Sequence, residues 1–530
     1  MHSNKTAPKE KDIASPEAKG QGSQQDDSGR KTSIISWAVT ALLAVLIVLL
    51  AIHQGPVAFC FSAITFAEVI LLFNILIIVH ELGHFLAAKW CGLKIDKFAI
   101  WFGKSLWSRK VDGVEYILGS IPAGGYVALP QMANPESIEG KSEVPAEDLP
   151  PAAPWQKIIV AFAGPLFSFG LALFFACIVW VVGRPVGDSE ATTTIGYVLP
   201  ESPAEEAHLQ AGDKIISIDN HPISRFGGYR NSVTWRIASS TDPTIPVVVQ
   251  RNGQTLTVEV TPRVEPHAFW QRSAPRRIGI APATEALIVK KVVQYSPVAM
   301  AGIVPGDQVV ALNGHKLYLD QPIFDQIKDH PNDSLTLTIL HQGITRDVTV
   351  TPEKPIAPAT LPKDGPQTDI GIDSWAPIVR LVHPDPLDQV GESAQAVIST
   401  IEILFTPHST VGASQLSGPL GIMNIFSVVL STPDGWRLAL WFAVLINVNL
   451  AMLNLLPFPI LDGGHITLSI IEWIRRRPLS MSILEPLQTV CALVIISYMA
   501  YVTFFDAQDS FRLATAGGQE IKFAPKPDSP

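Results

Sequence analysis

What limits the folds open to this chain is a set of apolar stretches long enough to cross a bilayer. Backbone in hydrocarbon must satisfy its own N–H and C=O groups, so such stretches wind into helices. They run over Ile34 to Ile52, Val57 to Trp90, Ile158 to Gly183, Leu438 to Leu456 and Pro486 to Phe505. With 47% of residues hydrophobic and only 16% charged, a single soluble globule is excluded, and a polytopic α-helical membrane protein of about five spans with soluble parts is expected. A net charge of −9 and the lack of a long basic patch leave no nucleic acid partner. Cys60, Cys91, Cys177 and Cys491 lie in or beside apolar segments without pair spacing, so they suggest neither a disulfide framework nor a cysteine zinc site.

Residues 1–33 are polar and mixed in charge, the composition of a disordered tail. Residues 34–56 read as an extra N-terminal membrane helix rather than a cleaved leader: the apolar run is long, no small-residue cleavage site follows, and a second span begins at once. Basic residues cluster at Lys89, Lys94, Lys97 and Lys157 and again at Arg475, Arg476 and Arg477, which predicts that both loops are cytoplasmic. The N-terminus is then cytoplasmic, and the region from Arg184 to Trp436 lies outside. Within the first loop, short alternating runs from Phe98 to Leu129 predict a membrane-associated β-hairpin or sheet, and Pro130 to Pro154 a proline-rich, acidic linker.

The second span carries His80-Glu81-Leu82-Gly83-His84 directly after the apolar run Val69 to Val79. Residues four apart on a helix stack on one face, so His80 and His84 can hold one metal ion with Glu81 on the adjacent edge, the spacing of a zinc metalloprotease centre. Ionisable groups at membrane depth are costly and usually functional, which favours a site over a chance pattern. A catalytic zinc takes three protein ligands and leaves a fourth position for water. Asp462 is the candidate third ligand, in Asn454-Leu455-Leu456-Pro457-Phe458-Pro459-Ile460-Leu461-Asp462-Gly463-Gly464-His465, where prolines break the helix and glycines free the backbone.

Between the spans the chain repeats itself. Ser202-Pro203-Ala204 followed by Ala211-Gly212-Asp213 and an alternating strand recurs 94 positions on as Ser296-Pro297-Val298 and Pro305-Gly306-Asp307. The pattern, with Ile278-Gly279 nearby, resembles the PDZ domain, which implies two α+β modules that bind peptide C-termini or extended segments by adding a strand to a sheet edge.

Taken together, His80-Glu81-x-x-His84 within a span and Asn454-x-x-Pro457-x-Pro459-x-x-Asp462-Gly463 resemble the site-2 protease family of intramembrane zinc metalloproteases, in its bacterial regulator of sigma-E protease branch. Pro122-x-Gly124-Gly125-Tyr126-Val127, Ala163-Gly164-Pro165 and Ser417-Gly418-Pro419 agree with it, whereas Ser168 stands where the family usually has Asn. The resemblance implies a Zn²⁺ cofactor held by His80, His84 and Asp462, with Glu81 as catalytic base. Asn454, Pro457, Pro459, Gly124 and Gly125 would meet an unwound substrate strand. It also implies a bacterial inner-membrane location, contact with membrane lipid, and single-span membrane substrates, an anti-sigma factor or a remnant signal peptide, in envelope stress signalling. The expected domains are 1–33 tail, 34–56 extra helix, 57–183 first protease half, 184–283 and 284–375 the two PDZ-like modules, 376–505 second protease half and 506–530 C-terminal tail. Two other readings fit the same motif: a membrane-anchored zinc endopeptidase acting on soluble substrates, and a non-catalytic PDZ scaffold.

Overall fold

The computed structural model describes residues 56–132, 149–266, 268, 270–357, 365–407, 409–477, 479–515 and 521–525. The expected tail and first span, 1–52, lie outside the described residues. The chain divides into units Met1–Ala67 and Glu68–Pro530; of the first, only helical backbone from Pro56 is described.

Helix α1 (Pro56–Trp90) carries the two-histidine motif, and α2 (Pro154–Val182) packs alongside it. Helices α3 (Pro386–Phe405), α4 (Pro419–Leu430), α5 (Gly435–Asn454), α6 (Asp462–Arg475) and α7 (Met481–Thr515) follow. Among the described residues, five segments are long and apolar enough to span a membrane: Ala63–Trp90, Pro154–Val182, Ala413–Leu430, Gly435–Asn454 and Leu484–Phe511. Four match expected spans. Ala413–Leu430 was not expected, because Ser414, Gln415, Ser417, Gly418 and Asn424 dilute its hydropathy and Gly418-Pro419 interrupts it. The expected tail from 506 begins inside a helix: α7 continues to Thr515, and Asp506 is buried.

The sheet after α1 is mixed rather than a simple hairpin. Strands β1 (Lys97–Phe102), β2 (Trp107–Val111), β3 (Val114–Leu118) and β4 (Ile121–Ala128) take the order β2-β3-β1-β4. The pair β1/β3 is parallel and β1/β4 antiparallel, with Phe98 opposite Val127 and Ile100 opposite Gly125. This leaves β4 as an edge strand. Phe85, Phe98, Val127 and Leu129 bury the sheet against the end of α1.

The sequence repeat is also a structural repeat. In both copies a serine caps a four-residue helix: Ser202 accepts from the Glu205 N–H and Ser296 from the Ala299 N–H. In both, a buried aspartate after the Gly-Asp turn anchors a neighbouring strand, Asp213 through Arg251 at 2.7 Å and Asp307 through His341. Each copy owns an apolar core, around Ile215, Ile245 and Val247 in the first and Val309, Leu335 and Leu337 in the second. In the second copy Ile372–Ala376 forms a sheet edge against Leu287–Val292. The copies are tied together by the Tyr197 hydroxyl, which donates to Asp325. Burial, reinforced by that bond to a carboxylate, holds the Tyr197 phenol above its ordinary range.

The repeats are also fastened to the helices. Asp506 of α7 accepts from Arg272 at 2.7 Å and, through its other oxygen, from the Gly418 and Gly421 N–H groups at 2.9 Å, capping the start of α4. A side chain at Gly418 or Gly421 would meet Asp506 within 2.9 Å, so the two glycines admit this carboxylate.

Candidate metal centre

His80 and His84 lie one turn apart on α1, and α6 begins at Asp462 beside them. The helix break is as expected: α5 ends at Asn454, and Pro457 to Leu461 form a turn that tucks α6 back under it. His80 Nε2 lies 3.2 Å from Asp462 Oδ2, His84 Nε2 lies 3.3 Å from Asp462 Oδ1, and the two Nε2 atoms are 3.3 Å apart. A tetrahedron built with metal–ligand bonds of about 2.0–2.1 Å has edges of about 3.3 Å. The two imidazole nitrogens and the Asp462 carboxylate, which turns one oxygen toward each histidine, therefore stand at the spacing of ligands around one such centre.

Protonation points the same way. His84 Nδ1 is 2.8 Å from the Val160 carbonyl, which can only accept, so Nδ1 carries the proton and Nε2 of the neutral ring offers a lone pair. His80 Nδ1 is 3.0 Å from Ser168 Oγ, and the Asn454 amide donates to its Nε2 at 3.2 Å. Asp462 Oδ2 is buried without a hydrogen-bond partner. Lone pairs from two imidazoles and a carboxylate converging in a buried pocket repel one another unless a cation lies between them, so this donor set fits a divalent metal. His80, His84 and Asp462 are the metal-competent cluster among the described residues.

Helix α2 makes the centre possible. A Cβ at Gly164 would stand 2.2 Å from His84 Nε2 and 2.9 Å from His80 Nε2, so only glycine lets α2 pass this close. Pro165 lacks the N–H that would bond the Ala161 carbonyl, and Ala161 lines the cavity. Ser168 has a definite place, against His80.

The cavity beside the histidines measures about 250 Å³ and is walled by Glu81, Asn454, Leu461, Asp462 and His465, and by Gly125, Tyr126 and Val127 of the edge strand. Glu81 adjoins that strand: its Cγ lies 3.5 Å from the Cβ position of Gly125. Of the expected substrate-contacting residues, Asn454 and Gly125 line the cavity. Gly124, Pro457 and Pro459 do not; Gly124 is backed by the Phe102 ring, and the prolines shape the turn before α6. Missed from sequence were the contacts of Ser168 and Val160, the space at Gly164 and the ring of His465. The first three depend on α2 crossing α1, which no local pattern encodes.

Comparison with known proteins decides the family. The profile of peptidase family M50 matches residues 68–498. The chain belongs to peptidase family M50. It is 30% identical over 456 residues to a protein of Neisseria meningitidis named as a zinc metalloprotease, covering 82% of this chain and 97% of that one. Protease RseP of Yersinia pestis is 28% identical over 462 residues, 83% of this chain and 97% of the relative. The regulator of sigma-E protease RseP of Escherichia coli K12 is 28% identical over 456 residues, with the same coverage. This M50 chain is thus a multi-pass membrane zinc metalloprotease of the site-2 protease type.

Proposed function

We propose that this peptidase hydrolyses a peptide bond within or beside the transmembrane segment of single-span proteins, with Zn²⁺ held by His80, His84 and Asp462. The observation that carries the reading is the convergence of the two Nε2 atoms and the Asp462 carboxylate, at 3.2–3.3 Å, next to Glu81. The metal, when bound, supplies Lewis acidity and lowers the pKa of its water to about 7. The chain's own residues do the rest. Glu81 accepts a proton from the attacking water, whose oxygen adds to the scissile carbonyl carbon. When the C–N bond breaks, Glu81 returns the proton to the leaving nitrogen. Ser168 and the Val160 carbonyl keep the imidazoles oriented, as partners of ligating histidines do.

A helical substrate has no free backbone groups and must unwind before attack. The edge strand β4 runs past Glu81 at Gly125, Tyr126 and Val127, so an unwound segment added to it would bring its backbone to the base. Asn454 is placed to bind that segment or its carbonyl. The two repeats act as PDZ-like modules outside the membrane that admit substrates already shortened by another protease, and the N-terminus is cytoplasmic. An anti-sigma factor is the substrate class that fits relatives named as regulators of sigma-E, alongside remnant signal peptides.

The test is cleavage of a single-span model protein by full-length enzyme in proteoliposomes, run beside soluble casein. Cleavage of the former alone, abolished by a chelator and restored by Zn²⁺, is the expected result. Equal cleavage of casein would instead favour a membrane-anchored enzyme for soluble substrates.

A further inference from the structure

We propose that His465 is a catalytic residue that donates a hydrogen bond to the oxyanion formed when water adds to the scissile carbonyl; this rests on the metalloprotease chemistry of the same site. His465 lies one turn beyond Asp462 on α6 and lines the cavity, as do Glu81 and the edge strand β4. It is absent from the cluster of His80, His84 and Asp462, so it is not a further ligand in this arrangement.

Two other imidazole donors of the cavity are committed: His80 Nδ1 and His84 Nδ1 face Ser168 and Val160. Lys157, which stands near His465, is spent in a 2.9 Å pair with Glu472. The His465 ring makes no hydrogen bond to any described residue, although its backbone N–H closes the first turn of α6 onto Leu461. A half-buried imidazole that faces the cavity without a partner has an N–H to offer whatever is seated there. A substrate strand seated along β4 would share the cavity with both Glu81 and His465. As oxygen adds, the C=O π electrons move onto the carbonyl oxygen, and one imidazole N–H meets that charge. The bond is made in the transition state, so it lowers the barrier without tightening substrate.

Two variants test this in the full-length enzyme: His465→Phe, which keeps a ring and removes the donor, and His465→Gln, which keeps an N–H. Expected for His465→Phe is a kcat about 100- to 1,000-fold lower with KM within about twofold, unchanged zinc content and a matching loss of affinity for a phosphinic peptide that mimics the tetrahedral oxyanion. His465→Gln should recover at least about tenfold of that kcat. Binding of a hydroxamate peptide, which reports a folded, metal-loaded cavity, should be unaltered in both. Unchanged kcat and phosphinate affinity in His465→Phe would overturn the proposal, as would loss of zinc or of hydroxamate binding in both variants, or a Gln variant no faster than Phe. If the wild-type enzyme itself cleaved no peptide bond, the protease reading would fail instead.

Discussion

At the scale of single residues, the centre is a problem of holding three lone pairs close together. The convergence of His80, His84 and Asp462 was legible in sequence because the four-residue spacing of His80 and His84 is a property of any helix, and because a carboxylate after a proline-broken span has few structural reasons to exist. Ser168 was not legible. Its importance depends on facing His80 from a different helix, at 3.0 Å. Removing its hydroxyl by Ser168→Ala should weaken zinc binding about 10- to 100-fold, the usual cost of losing a histidine's supporting partner. Competition with a chromophoric chelator would measure it. Asp462→Ala should lose the metal at concentrations where Ser168→Ala still retains it, because it deletes a ligand rather than a support.

Among elements, the crossing of α1 and α2 decides whether the site exists. Gly164→Ala places a methyl group 2.2 Å from His84 Nε2, so the helices must separate or the rings must turn. The expected outcome is loss of zinc from a protein that still inserts and folds, read by metal analysis beside thermal unfolding in detergent. Retention of full zinc occupancy would show that the crossing relaxes freely. The start of α4 depends on a distant carboxylate: Asp506 caps Gly418 and Gly421 and holds Arg272. Arg272→Ala leaves this buried charge with its amide donors only. A loss of about 2 kcal/mol is expected, below the range for fully enclosed pairs because the Arg272 side chain keeps 21% exposure. Faster proteolytic nicking between 264 and 277 should accompany it. Nothing in the local sequence announced this contact, since its partners are separated by 234 positions. By contrast the broken helix between Asn454 and Asp462 was plain from Pro457, Pro459 and the two glycines.

For the whole molecule, amphiphilic logic carried most of the architecture. Among the described residues, apolar length gave four of the five spanning segments, and self-similarity at 94 residues gave the two α+β modules, because the same serine cap at Ser202 and Ser296 starts a four-residue helix in each. What stayed hidden was how the parts meet: the Tyr197–Asp325 contact between modules, the Arg272 latch to α7, and the mixed order of the sheet that leaves β4 as an edge. Those are long-range pairings set by tertiary packing. They are also what would bring a substrate strand, a base and a metal together in one cavity of about 250 Å³. The central claim is that Glu81 moves the proton while the two histidines and Asp462 hold the metal. It is tested most directly by Glu81→Gln in proteoliposomes carrying a single-span substrate, with zinc content measured on the same sample. The account predicts full zinc occupancy and cleavage reduced by at least about 100-fold; cleavage at the wild-type rate would contradict it.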